Sequence, residues 1–456
     1  MSWRTVNLGE LVDNFSVRAK DHNSYTSELE FCGVSNEVGI TKSKYAAEDK
    51  AEDYKIIEKD CFAYNPYRIN VGSVGFLKED TVGLISPAYV VFKPKPNSII
   101  PQLLLKFLKS AEGLRQIKLY ARGTVRQALR FEDLCKIELA IPDYEEQLDL
   151  FKRIEETEIE SIELSTELTH QLDLVKQLRQ AFLREAMQGK LVPQDPNDEP
   201  ASVLLEKIKL RRESWIESKK AEGYKEASTI DKKLKKVDKI KFIFPNQEIP
   251  KNWVWTPIIK GVQLIVDCHN KTAPYVNDGI PLVRTTNIRE GKIALEETKF
   301  VTEDTYKFWS KRCIPKPGDI LFTREAPVGE GAIIPDGVKL CMGQRMMLIR
   351  TFDDLVKRKF LLYLITSPQF LERISYERKG AMVGHLRVGD VENFQIPLPP
   401  LSEQERIVDK LDELMGYCDQ LEASIKESQG QNELLLQQVL REALEVDFDK
   451  LETNVN

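Results

Sequence analysis

Shifted by 257 residues, this chain falls on itself: Gly123 to Met187 lies over Gly380 to Leu444 without a gap. Leu129-Arg130 meets Leu386-Arg387, and Asp133 meets Asp390. Pro142 meets Pro399, and Glu146-Gln147 meets Glu403-Gln404. Leu183-Arg184-Glu185-Ala186 meets Leu440-Arg441-Glu442-Ala443. Solenoid repeats recur every roughly 20–50 residues. One duplication at this distance therefore marks a doubled half-molecule and excludes a stacked array.

The copied block opens with a strand and continues as a long helix. Ile137, Leu139 and Ile141 alternate with polar neighbours, as do Phe394, Ile396 and Leu398, which is the period of a strand. Pro142, Pro399 and Pro400 end these strands. Beyond them, steps of three and four reach Ile154, Thr157, Ser161, Leu164, Leu168, Gln171, Val175, Leu178 and Phe182. The same lattice in the second copy holds Leu411, Leu414, Cys418, Leu421, Ile425, Ser428, Asn432, Leu435 and Val439. This is a heptad seam with polar breaks. No proline interrupts either run, and Ser402 with Glu405 forms a capping-box start. The reading predicts two helices of about 40 residues, roughly 60 Å each. They are expected to pair as an antiparallel coiled coil through Ile154, Leu164, Leu168, Val175, Leu178, Phe182, Leu411, Leu414, Leu421, Ile425, Leu435 and Val439.

In front of each copied block lies a stretch that hardly matches its counterpart. Both stretches open alike, at Trp3-Arg4-Thr5-Val6 and at Trp253-Val254-Trp255-Thr256. Residues 56–93 and 314–350 read as glycine-punctuated strands, and a short helical pattern follows each. The expected architecture is α+β: two pseudo-symmetric α/β domains separated by the two long helices. The boundaries are a first domain at 1–142, a central helix at 143–188, a linker with a short helix at 189–250, a second domain at 251–400, a distal helix at 401–445 and a tail at 446–456. The helix in the linker should start near Ala201. The basic run at 232–241 reads as a mobile, solvated linker that is free to touch DNA or a partner.

The net charge of −6 hides a pattern. The helical segments 143–188 and 401–445 are acidic, with 12 acidic against 5 basic and 11 acidic against 4 basic residues. Residues 61–130 carry 11 basic against 3 acidic residues. A local field of that sign suits a polyanion, whereas the acidic helices would stand off one. Arginine reads guanine edges bidentately, asparagine and glutamine suit adenine, and lysine or arginine neutralises phosphate. The candidate DNA contacts in the first half are Arg68, Lys93, Lys95, Arg115, Lys118, Arg122, Arg126 and Gln127, with Asn65. In the second half they are Arg284, Asn287, Arg289, Arg324, Gln344, Arg345, Arg378, Lys379 and Arg387.

Several functions lack their signatures in this chain. No GxxxxGK[ST] phosphate loop occurs. Asn65-Pro66-Tyr67 is one proline short of an adenine-methyltransferase motif and reads as a turn. Cys268-His269 has no companion ligand pair, so no metal site is expected. No run of about 18 apolar residues suggests a membrane span. Seven scattered cysteines suit a reduced cytoplasm better than a disulfide framework.

End to end, the chain resembles the specificity subunit of type I restriction–modification systems. The resemblance is carried by LRQAFLREAMQGKLVPQDPNDEPASVLLEKI at 178–208, IPLPPLSEQERIVDKL at 396–411, YRINVGSVG at 67–75, SPAYVVF at 86–92, GDILFTREAPVGE at 318–330 and GQRMMLIR at 343–350. At 140–147 the first copy departs from the family's PLPPLxEQ by reading AIPDYEEQ, and keeps Pro142, Glu146 and Gln147. The resemblance implies a non-catalytic subunit that binds double-stranded DNA. Each target recognition domain would read one half of a split sequence, and the paired helices would set the spacer. It further implies two modification subunits bringing S-adenosylmethionine, and restriction subunits adding ATP- and Mg-dependent translocation and cleavage. Docking of the modification subunits is expected on the outer helix faces around Leu183, Met187, Leu440 and Leu444. Two other classes compete. A coiled-coil scaffold whose globules bind proteins predicts weak DNA binding with little salt dependence. An enzyme with atypical motifs predicts activity from the isolated chain.

Overall fold

The computed structural model describes residues 3–22, 29–36, 38–43, 48–123, 127–242, 247–377 and 385–444. The chain forms two compact units, Met1–His170 with Ile425–Asn456, and Gln171–Ser424.

The first unit contains strands β1 (Arg4–Asn7), β2 (Val12–Asn14), β3 (Glu30–Ser35), β4 (Gly39–Lys42), β5 (Lys55–Ile57), β6 (Phe62–Tyr64), β7 (Val74–Phe76), β8 (Gly83–Ile85), β9 (Val90–Pro94) and β10 (Glu138–Ile141). Its helices are α1 (Leu8–Leu11), α2 (Pro101–Lys109), α3 (Ala111–Tyr120), α4 (Phe131–Leu134) and the first part of α5 (Tyr144–Met187). One sheet runs β2-β9-β6-β7 and another runs β4-β3-β8-β5. Only the β3–β8 pairing is parallel among these. β1 and β10 close a separate antiparallel ribbon, with Arg4 opposite Ile141. The core is aromatic where β6 meets β9: the Phe62 and Phe92 rings stack at 5.0 Å, and both side chains are fully buried. Stacked rings add about 0.5–1.5 kcal/mol to the burial itself.

The second unit begins with the last part of α5 and continues with α6 (Ala201–Ala221) and α7 (Lys225–Val237). Then come β11 (Val254–Pro257), α8 (Ile258–Gly261), β12 (Leu264–Asp267), β13 (Ile280–Val283), β14 (Ile288–Arg289), β15 (Lys292–Ile293), β16 (Lys299–Val301) and α9 (Glu303–Trp309). They are followed by β17 (Ile320–Arg324), β18 (Val328–Ile333), β19 (Cys341–Met342), β20 (Met346–Arg350), α10 (Arg358–Thr366), α11 (Pro368–Glu377), α12 (Val388–Asn393), β21 (Gln395–Leu398) and the first part of α13 (Leu401–Leu444). The main sheet runs β12-β20-β17-β18, and a second runs β16-β13-β19 with β13–β19 parallel. The order of the main sheet, the single parallel pairing and the β11–β21 ribbon repeat the first unit. The expected mixed fold with two related halves is therefore present.

The copy reaches further back than Gly123. α2 and α10 start 257 residues apart, and so do α3 and α11. Ser110 and Ser367 each precede the second helix, and their hydroxyls accept from Gly113 N at 3.1 Å and Phe370 N at 3.4 Å. The buried Gln147 and Gln404 make the same latch. Gln147 Oε1 accepts from Ile100 N at 3.0 Å, and its amide donates to Pro142 O at 3.0 Å. Gln404 Oε1 accepts from Lys357 N at 3.0 Å, and its amide donates to Pro399 O at 3.0 Å. Each latch ties a long helix to the helical pair that packs beside it. Gln404→Ala strands a buried amide and a buried carbonyl, so it should cost about 1–3 kcal/mol in denaturant unfolding. A change within about ±0.5 kcal/mol, the ordinary scatter of a neutral surface substitution, would sink the latch.

The long helices pair antiparallel, but through a narrower seam than expected. In the first unit, Ile154 packs in a cluster with Leu440, and Asn432 Nδ2 donates to Ser161 O at 2.9 Å. In the second, Arg179 meets Asp419 at 2.6 Å and Glu422 at 3.2 Å, while Phe182 packs in the cluster of Ile407 and Leu411. Ile154, Leu168, Val175, Leu411, Cys418, Ile425 and Asn432 are buried. Leu414, Phe182 and Val439 are half-buried. Leu164, Leu178, Leu421 and Leu435 are 40–58% exposed. The better-covered stripe holds the buried positions, and the alternate stripe ranges from half-buried to open. Two helices alone cover one stripe on each other, while a full a/d seam needs both stripes faced by the partner.

The linker also differs from expectation. Its first helix has 21 residues and a second, α7, follows. Leu204 and Ile208 join one core cluster, while Ile216 and Ile230 join another. The run at 232–241 is helical through Val237 and partly neutralised, by Lys233 on Glu392 at 2.6 Å and Lys235 on Asp231 at 3.1 Å. Apolar residues at Ala227, Ile230, Leu234 and Val237 anchor it. Their three-and-four spacing is hidden by the lysines between them.

Candidate nucleic-acid interface

In the first unit, several exposed candidates lie on or beside one turn. Asn65 Oδ1 accepts from Tyr67 N at 3.0 Å, which makes Asn65-Pro66-Tyr67 a turn. Tyr67 and Arg68 stand exposed on it. The turn of 3₁₀ helix at Ile69–Val71 rests on α3, whose outer face carries Lys118 and Arg115. Leu129 N donates to Pro66 O at 3.1 Å and fixes the loop after α3 to the same turn. That loop is closed by two hydrogen bonds between Arg122 and Ala128, at 3.0 and 2.9 Å. Arg68, Lys118, Arg122 and Gln127 are thus exposed on the turn, on the helix packed beside it and on the loop that follows. Arg122 also reaches the buried Asp133 at 2.8 Å. The hydrogen bond from Lys136 and the charge of Arg122 hold that carboxyl below its ordinary range.

The other first-half candidates have work within the fold. Arg115 closes on Glu112 at 2.6 Å. Lys93 pairs with Glu58 at 2.6 Å and lies 4.4 Å over the Phe15 ring. Lys95 donates to Gly9 O at 3.2 Å and Glu10 O at 2.9 Å, terminating α1. Arg126 lies outside the described residues.

In the second unit, Arg284, Gln344 and Arg345 line one pocket of about 180 Å³ with Tyr275, Thr285 and Thr286. The pocket sits where the chain leaves two parallel strands, β13 before Arg284 and β19 before Gly343. Arg284 Nε is buried there without a hydrogen-bond partner among the described residues. Arg345 has φ of +69°, a region that non-glycine residues rarely adopt. Its guanidinium rests on Glu325 at 3.1 Å, and His385 meets the same carboxylate. Gly343 fits because a Cβ would come within 2.7 Å of Val283 O. A half-enclosed site with a guanidinium, a primary amide and hydroxyls has the donors and acceptors that a base edge presents in reverse.

Asn287 and Arg324 are not available to DNA here. Asn287 is buried, accepts from Arg284 N at 3.0 Å and donates to Glu297 O at 3.2 Å. Arg324 is buried, donating to Leu386 O at 2.8 Å and pairing with Asp267 at 3.0 Å. Arg289 donates to Thr285 O at 2.8 Å. Arg387 is exposed at the start of α12. Arg378 and Lys379 lie outside the described residues. Tyr67 and Tyr275, exposed beside these groups, were not among the sequence candidates; an exposed aromatic next to a proline was the available signal. The docking candidates also turn inward: Met187 is buried, while Leu183 and Leu440 pack against core clusters. The Leu444 side chain lies outside the described ones.

Cys268 and His269 have structural surroundings. Burial and Asp267 push the Cys268 thiol up, and burial lowers His269, whose ring packs 4.6 Å from Trp309. No helix of the described residues is long and apolar enough to cross a membrane.

The type I restriction modification DNA specificity domain matches residues 2–174 and 267–428. The specificity subunit of the type I restriction enzyme EcoAI from Escherichia coli is 31% identical over 275 residues, 58% of this chain and 44% of that protein. The EcoEI specificity subunit, also from Escherichia coli, is 28% identical over 274 residues, 58% of this chain and 43% of that protein. The matched stretch thus spans under half the length of these two curated relatives. The HsdS subunit from Thermoanaerobacter tengcongensis has the same fold, with a TM-score of 0.58 at 18% identity over 98% of this chain and 97% of that one.

Proposed function

Since the chain belongs to the type I restriction–modification DNA specificity family, we propose that it is the sequence-reading subunit of such a system. Each unit reads one half of a bipartite duplex target. One observation supports this above the rest: two copies of one scaffold present different polar side chains, exposed in the first and lining a pocket in the second. The first offers Arg68, Lys118, Arg122 and Gln127, and the second offers Arg284, Gln344 and Arg345. Equal frames with unequal reading groups suit an asymmetric split sequence. In this reading the subunit is non-catalytic and works in the cytoplasm. Two modification subunits bring S-adenosylmethionine, and restriction subunits bring ATP and Mg. The scaffold alternative is disfavoured by the exposed basic residues, which suit phosphate and not an unspecified protein surface.

The test is methylome sequencing of cells carrying the cognate modification subunit with and without this chain. A split adenine-methylation motif that appears only with the chain is the expected result. No new motif, with the two proteins shown to associate, would return the scaffold reading.

The paired helices are proposed to set the spacer. One extra helical turn in both should lengthen the methylated motif's gap by one to two base pairs, because a turn rises about 5.4 Å and a base pair about 3.4 Å. An unchanged gap would rule this out.

A further inference from the structure

We infer that the outer face of α7 is a second, sequence-independent contact to duplex DNA, a lysine stripe that holds phosphates. The inference rests on the DNA-reading function proposed above. At about 100° per residue, Lys225, Lys232 and Lys236 fall on one side of α7, and Ala227, Ile230, Leu234 and Val237 fall on the opposite side. The apolar side is anchored to the second unit: Ala227, Ile230 and Val237 are buried. The three lysines are exposed, and none has an ion-pair partner among the described residues. Lys239 and Lys241 continue the exposed run past the helix end. Thr229, an exposed hydroxyl, lies within the same face and can donate to a phosphate oxygen.

The neighbours make the contrast. Lysines pointing sideways are neutralised, Lys233 by Glu392 and Lys235 by Asp231. Lys220 closes on the same Asp231. The segment 225–241 holds seven lysines against three carboxylates, and those carboxylates lie off the stripe. Asp238 is taken by Lys260 at 2.6 Å. From Lys225 to Lys236 the helix rises roughly 16 Å, while one strand of a duplex carries a phosphate about every 3.4 Å of axis. The stripe therefore faces several phosphates at once. The segment also lies between the two stretches that the family domain matches, so the shared recognition scaffold does not account for it.

The occupant is duplex backbone of any sequence. Each lysine that neutralises a phosphate contributes about 0.9 to the slope of log affinity against log salt. The full chain carrying Lys225→Gln, Lys232→Gln and Lys236→Gln should therefore bind a mixed-sequence duplex with the slope reduced by about two to three. The loss should be equal on target and non-target duplexes, and the methylated motif should be unchanged. The corresponding triple arginine variant should restore the slope. All three positions are exposed, so thermal unfolding of each variant should match the parent. A parent chain that binds normally beside a glutamine variant of unchanged slope overturns the stripe alone. So does a variant that keeps its slope but no longer associates with a modification subunit, which would assign the face to a protein. A parent chain without salt-dependent duplex binding overturns the DNA-reading function itself, and the stripe with it.

Discussion

Truncating Arg284 to alanine should relax the methylated sequence in one half only. Its side chain lines the pocket between the ends of β13 and β19, with Nε buried and unpaired among the described residues. A buried donor without a partner costs about 1–3 kcal/mol, which a base-edge acceptor would recover on binding. A bidentate contact to a base discriminates by about 1–3 kcal/mol, so one position of the motif should lose roughly 5- to 150-fold of its preference. The other half is assigned to the first unit and should stay fixed. Gln344→Ala should act in the same half, because Gln344 lines the same pocket. Methylome sequencing of each variant reads this directly. Relaxation in both halves, or in neither, would remove the pocket from the reading surface.

Arg212→Ala should unfold the second unit at much lower denaturant, with a loss of about 3–5 kcal/mol, because buried carbonyls lose a charged donor whose hydrogen bonds are worth about 1.5–3 kcal/mol each. Arg212 projects from α6 and is 5% exposed. The two N–H groups of its Nη1 are shared among Ile259 O at 3.2 Å, Lys260 O at 2.8 Å and Val262 O at 3.0 Å. These are carbonyls at the end of α8, and a four-residue helix cannot satisfy them internally. Burial pulls the guanidinium down to about 10, so it still carries its charge at neutral pH. Partial rehydration returns some of the loss. Arg212→Lys should recover only part, since a compact ammonium is more strongly hydrated than a guanidinium and costs more to bury. A loss under about 1 kcal/mol for the alanine variant, the worth of one ordinary hydrogen bond, would mean that α6 is a loosely held appendage.

Legibility in the sequence followed whichever signal was carried by residue identity. The long helices appear as α5 and α13, 44 residues each, because a proline-free heptad run is unambiguous over that length. The earlier part of the copy, α2–α3 against α10–α11, reads as a short helical pattern in each half but not as a copy, because its identities at the same offset are scattered. Leu104-Leu105 meets Leu361-Leu362, Leu114 meets Leu371 and Ile117 meets Ile374, while Ser110, Ser367 and the glutamine latch repeat the contacts. Asn287 and Arg324 resemble reading groups in one dimension. Their partners, Glu297 O and Asp267, are set by tertiary folding that no local spacing reveals. The lysine-rich run looked solvated because composition outweighs period by eye, yet a helical lattice of Ala227, Ile230, Leu234 and Val237 lay beneath it.

The first unit is closed by a late segment: residues from Ile425 onward belong to it, with Leu440 beside Ile100, Leu103 and Ile154. On the ribosome this inverts the order of completion. Residues 171–424 emerge whole and can finish folding, while the segment made before them waits for the segment made after them. At about 5–20 residues per second that wait is roughly 10–50 s. Throughout it, the apolar stripe of α5 around Ile154 and Leu168 lacks its partner helix. A premature stop within α13 would therefore damage the half of the molecule that was synthesised earliest.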